Sequence, residues 1–497
     1  MFTRIFIAVS ALLLLGACVS PATLEHSQPV TVGLPAKVQS MLLAANIPAN
    51  AVGAVVIRIP DGALLLSHQS DVGMQPASTL KVLTSIVGLE RLGPTYRGRT
   101  ELRTSGEIVD GVLQADLVLR GMGDPDFDWE ALQRMLQTLR HKGISEIKGD
   151  LLLDRHWFQP SRPDLGVPPF DETPEFRYNV IPDALLLNTN LLQLDFESGD
   201  QVKTNSMRVG MTPSLDRVVV VSNMTFVDRD CDKWEDGWKL PVVTRNGNGS
   251  IRIELQGEFP KNCSVSTSIS ILDRTDFADR LFRALWRNLG GTFSGQTRES
   301  VASEVATGGM RLLAQHQSRT LAEFTRDINK RSDNPITRLT FLSLGALSKL
   351  DAGSETSVRA EREIRAWLKE NAIDDTGLVL DNGSGLSRSE RIRPSQLAAT
   401  LLRAQRSKWA PEFMASLPIV AVDDGMKNRL RNTTAAEHAR IKTGSLRDVA
   451  AVAGYVPNAK NQLCVAVVMI NHPLATGDVA RPILDALLAW VALSGAE

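Results

Sequence analysis

The 497-residue chain carries 55 Lys plus Arg against 56 Asp plus Glu, a formal net charge of −1, and its hydrophobic share of 43% is ordinary for a globular protein. Such a balance gives no electrostatic footprint for nucleic acid or for a strongly charged partner. The length favours two or three domains over one, with ample chain for a sizeable core.

In chain order, Arg4 precedes an apolar run from Ile5 to Leu15 that ends in Leu15-Gly16-Ala17-Cys18. The run is too short to cross a bilayer, which takes about 20 residues, but it fits the apolar segment of a signal peptide. Its last four residues resemble a bacterial lipobox, so residues 1–17 are expected to be a leader and Cys18 a lipidated mature N-terminus. Several acyl chains on one cysteine would anchor the protein stably. Val19 rather than aspartate follows, which points to the outer membrane. The expectation is a periplasmic lipoprotein, with plain secretory cleavage as the alternative.

Export would place the remaining cysteines in an oxidising compartment. Cys231 and Cys263 lie in neighbouring polar segments and form a candidate disulfide, while Cys464 sits in an apolar run and reads as a buried thiol. No cysteine spacing resembles a zinc site, and the seven histidines are scattered without a His-Glu-x-x-His pattern. Neither a metal nor another cofactor is expected.

Past a tether over Ser20–Pro35, a short helix is predicted over Lys37–Ala45, then a hairpin of Ala54–Ile59 and Ala63–Ser67 turning at Pro60-Asp61-Gly62. The apolar run Leu80, Val82, Leu83, Ile86 and Val87 follows Pro76-Ala77-Ser78 and closes at Gly93-Pro94, the pattern of a buried helix that opens at Ser78. From about Thr95 to Ser300 the texture changes to short alternating strands, with helical stretches over Trp129–His141 and Phe277–Leu289. Helices return over Leu321–Asn329, Asn334–Leu347 and Ser354–Asn371. The chain finishes with strand-like runs at Ala439–Ile441, Val449–Val456 and Leu463–Ile470 and a helix over Arg481–Leu493. A hairpin near the start and strands near the end, each beside a helix, suggest one sheet built from both ends around an inserted β-rich region.

Three short patterns carry the chemistry. Ser78-Thr79-Leu80-Lys81 puts a serine and a lysine on one helical face, where a poorly solvated amine can take the serine proton. Ser332-Asp333-Asn334 falls at a helix boundary, and Lys442-Thr443-Gly444-Ser445 ends a strand. Attack on an amide needs the nucleophile Ser78 and the base Lys81, with Ser332 relaying a proton to the leaving amine from Lys81 or Lys442. The Asn334 carboxamide suits a substrate peptide group, and Lys442, Thr443 and Ser445 suit a terminal carboxylate. Gly444 would let substrate backbone approach the strand closely. The backbone N–H groups of Ser78 and Ser445 would hold the oxyanion, and losing one such donor costs about 2.7 to 4 kcal/mol. Taken alone, Ser332 would read as a helix cap and Lys442-Thr443-Gly444 as an ordinary strand end. A decoy, Ser145-Glu146-Ile147-Lys148, lies in the β-rich region with no helix behind it.

The ordered set of Ser-x-x-Lys, Ser-x-Asn and Lys-Thr-Gly is shared by penicillin-binding proteins and serine β-lactamases. Ser332 follows Ser78 by 254 residues, far more than in class A β-lactamases or the smaller carboxypeptidases. A β-rich insert in that gap resembles the D-alanyl-D-alanine carboxypeptidase/endopeptidase family of the penicillin-binding protein 4 type, peptidase family S13. Further stretches similar to that family are Gly121-Met122-Gly123-Asp124-Pro125, Gly149 to Asp154, Asp381-Asn382-Gly383-Ser384-Gly385-Leu386-Ser387-Arg388, Asp424-Gly425-Met426 and Ala453-Gly454-Tyr455-Val456. Thr337-Arg338 stands where that family usually has Ala-Glu, and Arg393-Pro394 where it has Thr-Pro. A lipobox is also less usual there than a plain signal peptide.

The resemblance implies an α/β (α+β) transpeptidase/β-lactamase-like fold, an antiparallel sheet flanked by helices. Residues 18–95 and 301–497 would form this domain, and 96–300 would form two small inserted domains. It implies serine D,D-peptidase action on peptidoglycan stem peptides, as carboxypeptidase on D-Ala-D-Ala ends or endopeptidase on cross-links, with β-lactams acylating the same serine. A β-lactamase is the first rival, but no Glu-x-x-Leu-Asn segment follows Ser332 to activate a hydrolytic water. A wall-binding scaffold that keeps the fold without the rate is the second.

Overall fold

The computed structural model describes residues 31–199, 207–305, 309–351, 353–423 and 425–495. The leader, Cys18 and the tether as far as residue 30 lie outside them. Among the described residues no helix is long and apolar enough to cross a membrane.

Both ends of the chain meet in one sheet. Its strands are β1 (Thr31–Val32), β2 (Val52–Arg58), β3 (Leu64–His68), β4 (Arg440–Leu446), β5 (Val449–Pro457) and β6 (Leu463–Asn471), in the order β1-β3-β2-β6-β5-β4. The seam between the two ends is the antiparallel pair β2–β6, in register from Val52 opposite Ile470 to Arg58 opposite Cys464. Side chains alternate across a strand, so Val465, Val467 and Met469 enter one core and Cys464, Ala466, Val468 and Ile470 the other. Because both faces are covered, the sequence of β6 is continuously apolar rather than alternating.

One face carries α1 (Lys81–Arg91), α2 (Leu321–Lys330), α3 (Asn334–Leu347), α4 (Thr356–Glu370) and α5 (Pro394–Gln405). The other is covered by α6 (Gly477–Leu493) and Ala36–Ala44. Every residue of α1 from Lys81 to Leu89 is buried, which fits a helix apolar on nearly all sides. The helix α5 lies outside the sequence-predicted set. It opens at Arg393-Pro394 with proline in its first turn, where the missing N–H costs nothing.

The insert has its own core. A five-stranded sheet in the order Thr297–Glu299, Leu151–Asp154, Leu117–Met122, Arg99–Thr104 and Arg311–Gln317 packs with the helices Trp129–His141 and Arg274–Asn288. Arg311–Gln317 pairs antiparallel with Arg99–Thr104, so the insert's sheet runs past residue 300, where the sequence reading ends it. The return strand was hidden because its pairing partner is some two hundred residues upstream. Three smaller sheets complete the insert, and the Cys231–Cys263 disulfide, whose Cα atoms are 5.4 Å apart, ties the 3-10 turn Cys231–Gly237 to the turn between the strands Ile251–Pro260 and Ser264–Ile269. Among the described residues Cys464 is the free, buried thiol, and burial pushes its pKa up to about 11.

Candidate active site

Ser78 sits on a 3-10 turn, Ala77–Leu80, that runs directly into α1, a tighter entry than the α-helical start the sequence predicts. Ala77 adopts a left-handed backbone (φ 46°), uncommon for a residue with a Cβ. Two glycines make room for the turn. A Cβ on Gly385 would lie 1.9 Å from the Ala77 carbonyl oxygen, and one on Gly444 would lie 2.8 Å from that of Pro76 and 3.0 Å from Ser78 N. Gly444, expected to admit substrate, is therefore required first by the packing of the nucleophile turn against β4.

Lys81 is wholly buried. Its Nζ lies 2.9 Å from Ser78 Oγ, 2.6 Å from Asn334 Oδ1 and 2.6 Å from the carbonyl oxygen of Ser384. Burial holds its pKa well below the ordinary lysine value, and the nearby cations Lys442 and Arg338 push it in the same direction. The partners then decide where the free electron pair goes. The Ser384 carbonyl can only accept, and Asn334 presents its oxygen because its Nδ2 donates to the Tyr178 carbonyl (3.0 Å). A neutral amine has two N–H bonds, both used by these acceptors, so its lone pair faces the Ser78 hydroxyl. Asn334, assigned from sequence to the substrate, is thus also a direct partner of Lys81.

Ser332 is not a helix cap. Asp333 takes that position, accepting from Ile336 N at 2.8 Å, and leaves Ser332 outside α3 with a left-handed backbone (φ 57°). Ser332 Oγ accepts from Lys442 Nζ at 3.0 Å, and Lys442 also donates to the Thr443 carbonyl at 2.8 Å. Of the two relay partners the sequence leaves open, this geometry pairs Ser332 with Lys442. Lys442 is buried too, and desolvation brings its pKa down to about 7. Thr443 and exposed Ser445 continue along β4, the outermost strand of the sheet. Past Ile441, whose N–H donates to the Pro418 carbonyl at 2.9 Å, the outward N–H and C=O groups of this edge strand have no neighbouring strand, so Thr443 and Ser445 can offer a ladder to an extended peptide.

The insert forms part of the site, which sequence reasoning missed. Arg177 donates to Asp333 at 2.8 Å, the Tyr178 carbonyl holds Asn334, and the Val180 carbonyl accepts from Arg338 at 3.3 Å. Beside them opens a cleft of 790 Å³ lined by Phe170, Asn179, Arg338, Asn382 and Arg388, among others. The decoy pair is elsewhere: Ser145 and Lys148 are exposed and flank the strand Glu146–Ile147. Among the described residues no group of three or more His, Cys, Asp or Glu is placed to hold a metal ion.

The family model for the D-Ala-D-Ala carboxypeptidase S13 family matches residues 34–493. The chain belongs to that family. Its relatives include a D-alanyl-D-alanine carboxypeptidase of Actinomadura sp. strain R39, 27% identical over 94% of this chain and 86% of that one. Another is the D-alanyl-D-alanine carboxypeptidase DacB of Haemophilus influenzae, 26% identical over 86% of each chain. The crystal structure of penicillin binding protein 4 (dacB) from Haemophilus influenzae shares the fold, with a TM-score of 0.73 and 22% identity over 91% of this chain and 97% of that one. As an S13 member the chain is a serine-type D-Ala-D-Ala carboxypeptidase by class, with a transpeptidase-like domain interrupted by a large insert. The S13 departure at Thr337-Arg338 buries an arginine in α3, within reach of the Leu386 carbonyl at 3.4 Å.

Proposed function

We propose that this S13 protein is a D,D-peptidase that cleaves peptidoglycan stem peptides through an acyl-enzyme on Ser78. The observation that carries the reading is the arrangement at Lys81, whose two acceptor partners leave its lone pair on Ser78 Oγ. Ser78 Oγ adds to the penultimate D-Ala carbonyl while its proton passes to Lys81. The oxyanion gathers against the N–H groups of Ser78 and Ser445. On collapse the C–N bond breaks, and the leaving amine takes a proton through Ser332, backed by Lys442. Water then hydrolyses the ester and frees Ser78.

Asn334, Lys442, Thr443 and Ser445 supply the polar contacts to the peptide, and Gly444 keeps β4 close to the nucleophile. A terminal D-Ala leaves in carboxypeptidase action, and a cross-linked diamino acid leaves in endopeptidase action. Penicillins would acylate the same serine, since a β-lactam presents a strained amide at the same place. Export and lipid anchoring at Cys18 would put this activity in the periplasm, at the outer membrane.

Intact-mass analysis of protein extracted from membranes tests these points together. The expected result is a mature chain beginning at an acylated Cys18 that gains one penicilloyl group, with no gain in Ser78→Ala. An adduct that survives Ser78→Ala would exclude this nucleophile, and an unmodified N-terminus elsewhere would exclude the anchor. Product masses from purified muropeptides separate the two peptidase activities, and rapid turnover of a chromogenic cephalosporin would turn the reading toward a β-lactamase.

A further inference from the structure

Glu390 is wholly buried and lies outside every motif above. Its Oε1 accepts from the backbone N–H groups of Asp381 (3.2 Å), Asn382 (3.0 Å) and Gly383 (2.8 Å), and its Oε2 from that of Gly385 (2.9 Å). One carboxylate thus holds a whole loop from behind. On its other side the loop meets the nucleophile helix: the Gly383 carbonyl accepts from Thr84 Oγ1 at 2.6 Å and the Ser384 carbonyl accepts from Lys81 Nζ at 2.6 Å. The left-handed Gly383 (φ 71°) and Gly385 (φ 82°) let the backbone turn its N–H groups toward Glu390.

We propose that Glu390 is a positioning residue for acylation, acting through the Asp381–Leu386 loop and the Ser384 carbonyl to aim the Lys81 lone pair at Ser78. The inference rests on the Ser78 acyl-enzyme reading. All four of these partners of Glu390 are donors, which matches an ionised carboxylate even though burial pushes its pKa upward. A neutral amide at this position has a single acceptor oxygen, and its NH2 would meet the Gly385 N–H donor to donor. The loop would shift, and the Ser384 carbonyl with it.

The charge of Glu390 also acts on the base. The charged groups facing Lys81 are the cations Lys442 and Arg338, which favour its neutral form, and the anions Glu390 and Asp333, which favour its protonated form. Two substitutions that touch the same loop therefore have opposite electrostatic signs. Glu390→Gln lets Lys81 deprotonate at lower pH, and Arg338→Gln requires higher pH. Damage to packing alone would not produce opposed shifts.

The test is the second-order rate of acylation by a fluorescent penicillin, measured across about pH 5 to 9 on the wild-type protein and both variants. Glu390→Gln should lower the plateau rate at least about tenfold, because misplacing a catalytic group by a fraction of an ångström is costly. Its acid limb should move to lower pH, and that of Arg338→Gln to higher pH. A wild-type rate and profile in Glu390→Gln would overturn the assignment while leaving the Ser78 reading intact. No acylation of the wild-type protein at Ser78 would overturn both. If Glu390→Gln does not fold, Glu390→Asp decides: the shorter carboxylate keeps the charge but not its reach to the loop N–H groups, so a lowered plateau with an unmoved acid limb supports the positioning role, and a wild-type plateau sinks it.

Discussion

Ser78 meets Lys81 within a single turn of chain, whereas Ser332 meets Lys442 across 110 residues, from a helix boundary to an edge strand. The first pair keeps its approximate distance wherever α1 folds, because neighbours three apart share a helical face. What the rest of the protein adds there is dryness and direction: burial that disfavours the ammonium, and two acceptors that occupy its N–H bonds. The second pair has no local support. It exists only while β4 is docked beside the start of α3, so its geometry depends on how the sheet and the helical face of the C-terminal part pack together. A catalytic group can thus be assembled locally and tuned globally, or assembled globally outright.

That contrast can be broken most strongly at the local pair. Lys81→Ala removes the base without disturbing the chain distance, and acylation by penicillin should fall by about 10² to 10⁴-fold while the far-UV spectrum stays native. Near-normal acylation would mean the proton goes elsewhere. At the distant pair the expected effect is smaller and depends on pH. Lys442 has a folded pKa of about 7, below its ordinary value near 10.4, so between these values the unfolded state binds more protons. Buried Lys442 therefore costs stability in full below pH about 7, and the cost is relieved as pH rises from about 7 toward 10. Urea melts over that window should show the rise, and Lys442→Met should flatten it and raise the melting temperature at neutral pH while weakening peptide cleavage. An unchanged slope in Lys442→Met would show that this lysine is not the desolvated one.

The smallest effect on chemistry is expected in the insert. Replacing Cys231 and Cys263 by serine removes a cross-link spanning 32 residues, and should destabilise the insert by about 2–4 kcal/mol while leaving penicillin acylation unchanged. A loss of acylation in that variant would mean that the insert's distant sheets, and not only the Arg177–Val180 segment, control the site.

Much of the site was legible because its motifs are short and chemically specific. Ser78, Lys81, Ser332, Asn334 and Lys442 are brought together by hydrogen bonds, and their order along the chain already pointed to acyl transfer. Elements buried on nearly all sides, such as α1 and the apolar strands β5 and β6, were legible as continuous apolar runs, because burial writes itself into composition. The edge of the insert was not, since Arg311–Gln317 looks like any short strand until its distant partner is known. Nor were the Tyr178 and Ser384 carbonyls, because a backbone oxygen leaves no residue-type signal. Glu390 reads as one more surface acid, and nothing local says that four backbone N–H groups converge on it.

By itself, the sequence determined which side chains can act as nucleophile, base and carboxylate-facing cation, and that a long insert separates the first two motifs. Those are properties of residue type and order. Only the tertiary structure decided that Ser332 pairs with Lys442, that Asp333 and not Ser332 caps α3, and that Lys81 is buried between Ser78, Asn334 and the Ser384 carbonyl. The first and third depend on groups delivered from far along the chain and the second on a left-handed turn at Ser332, none of which a residue's type announces.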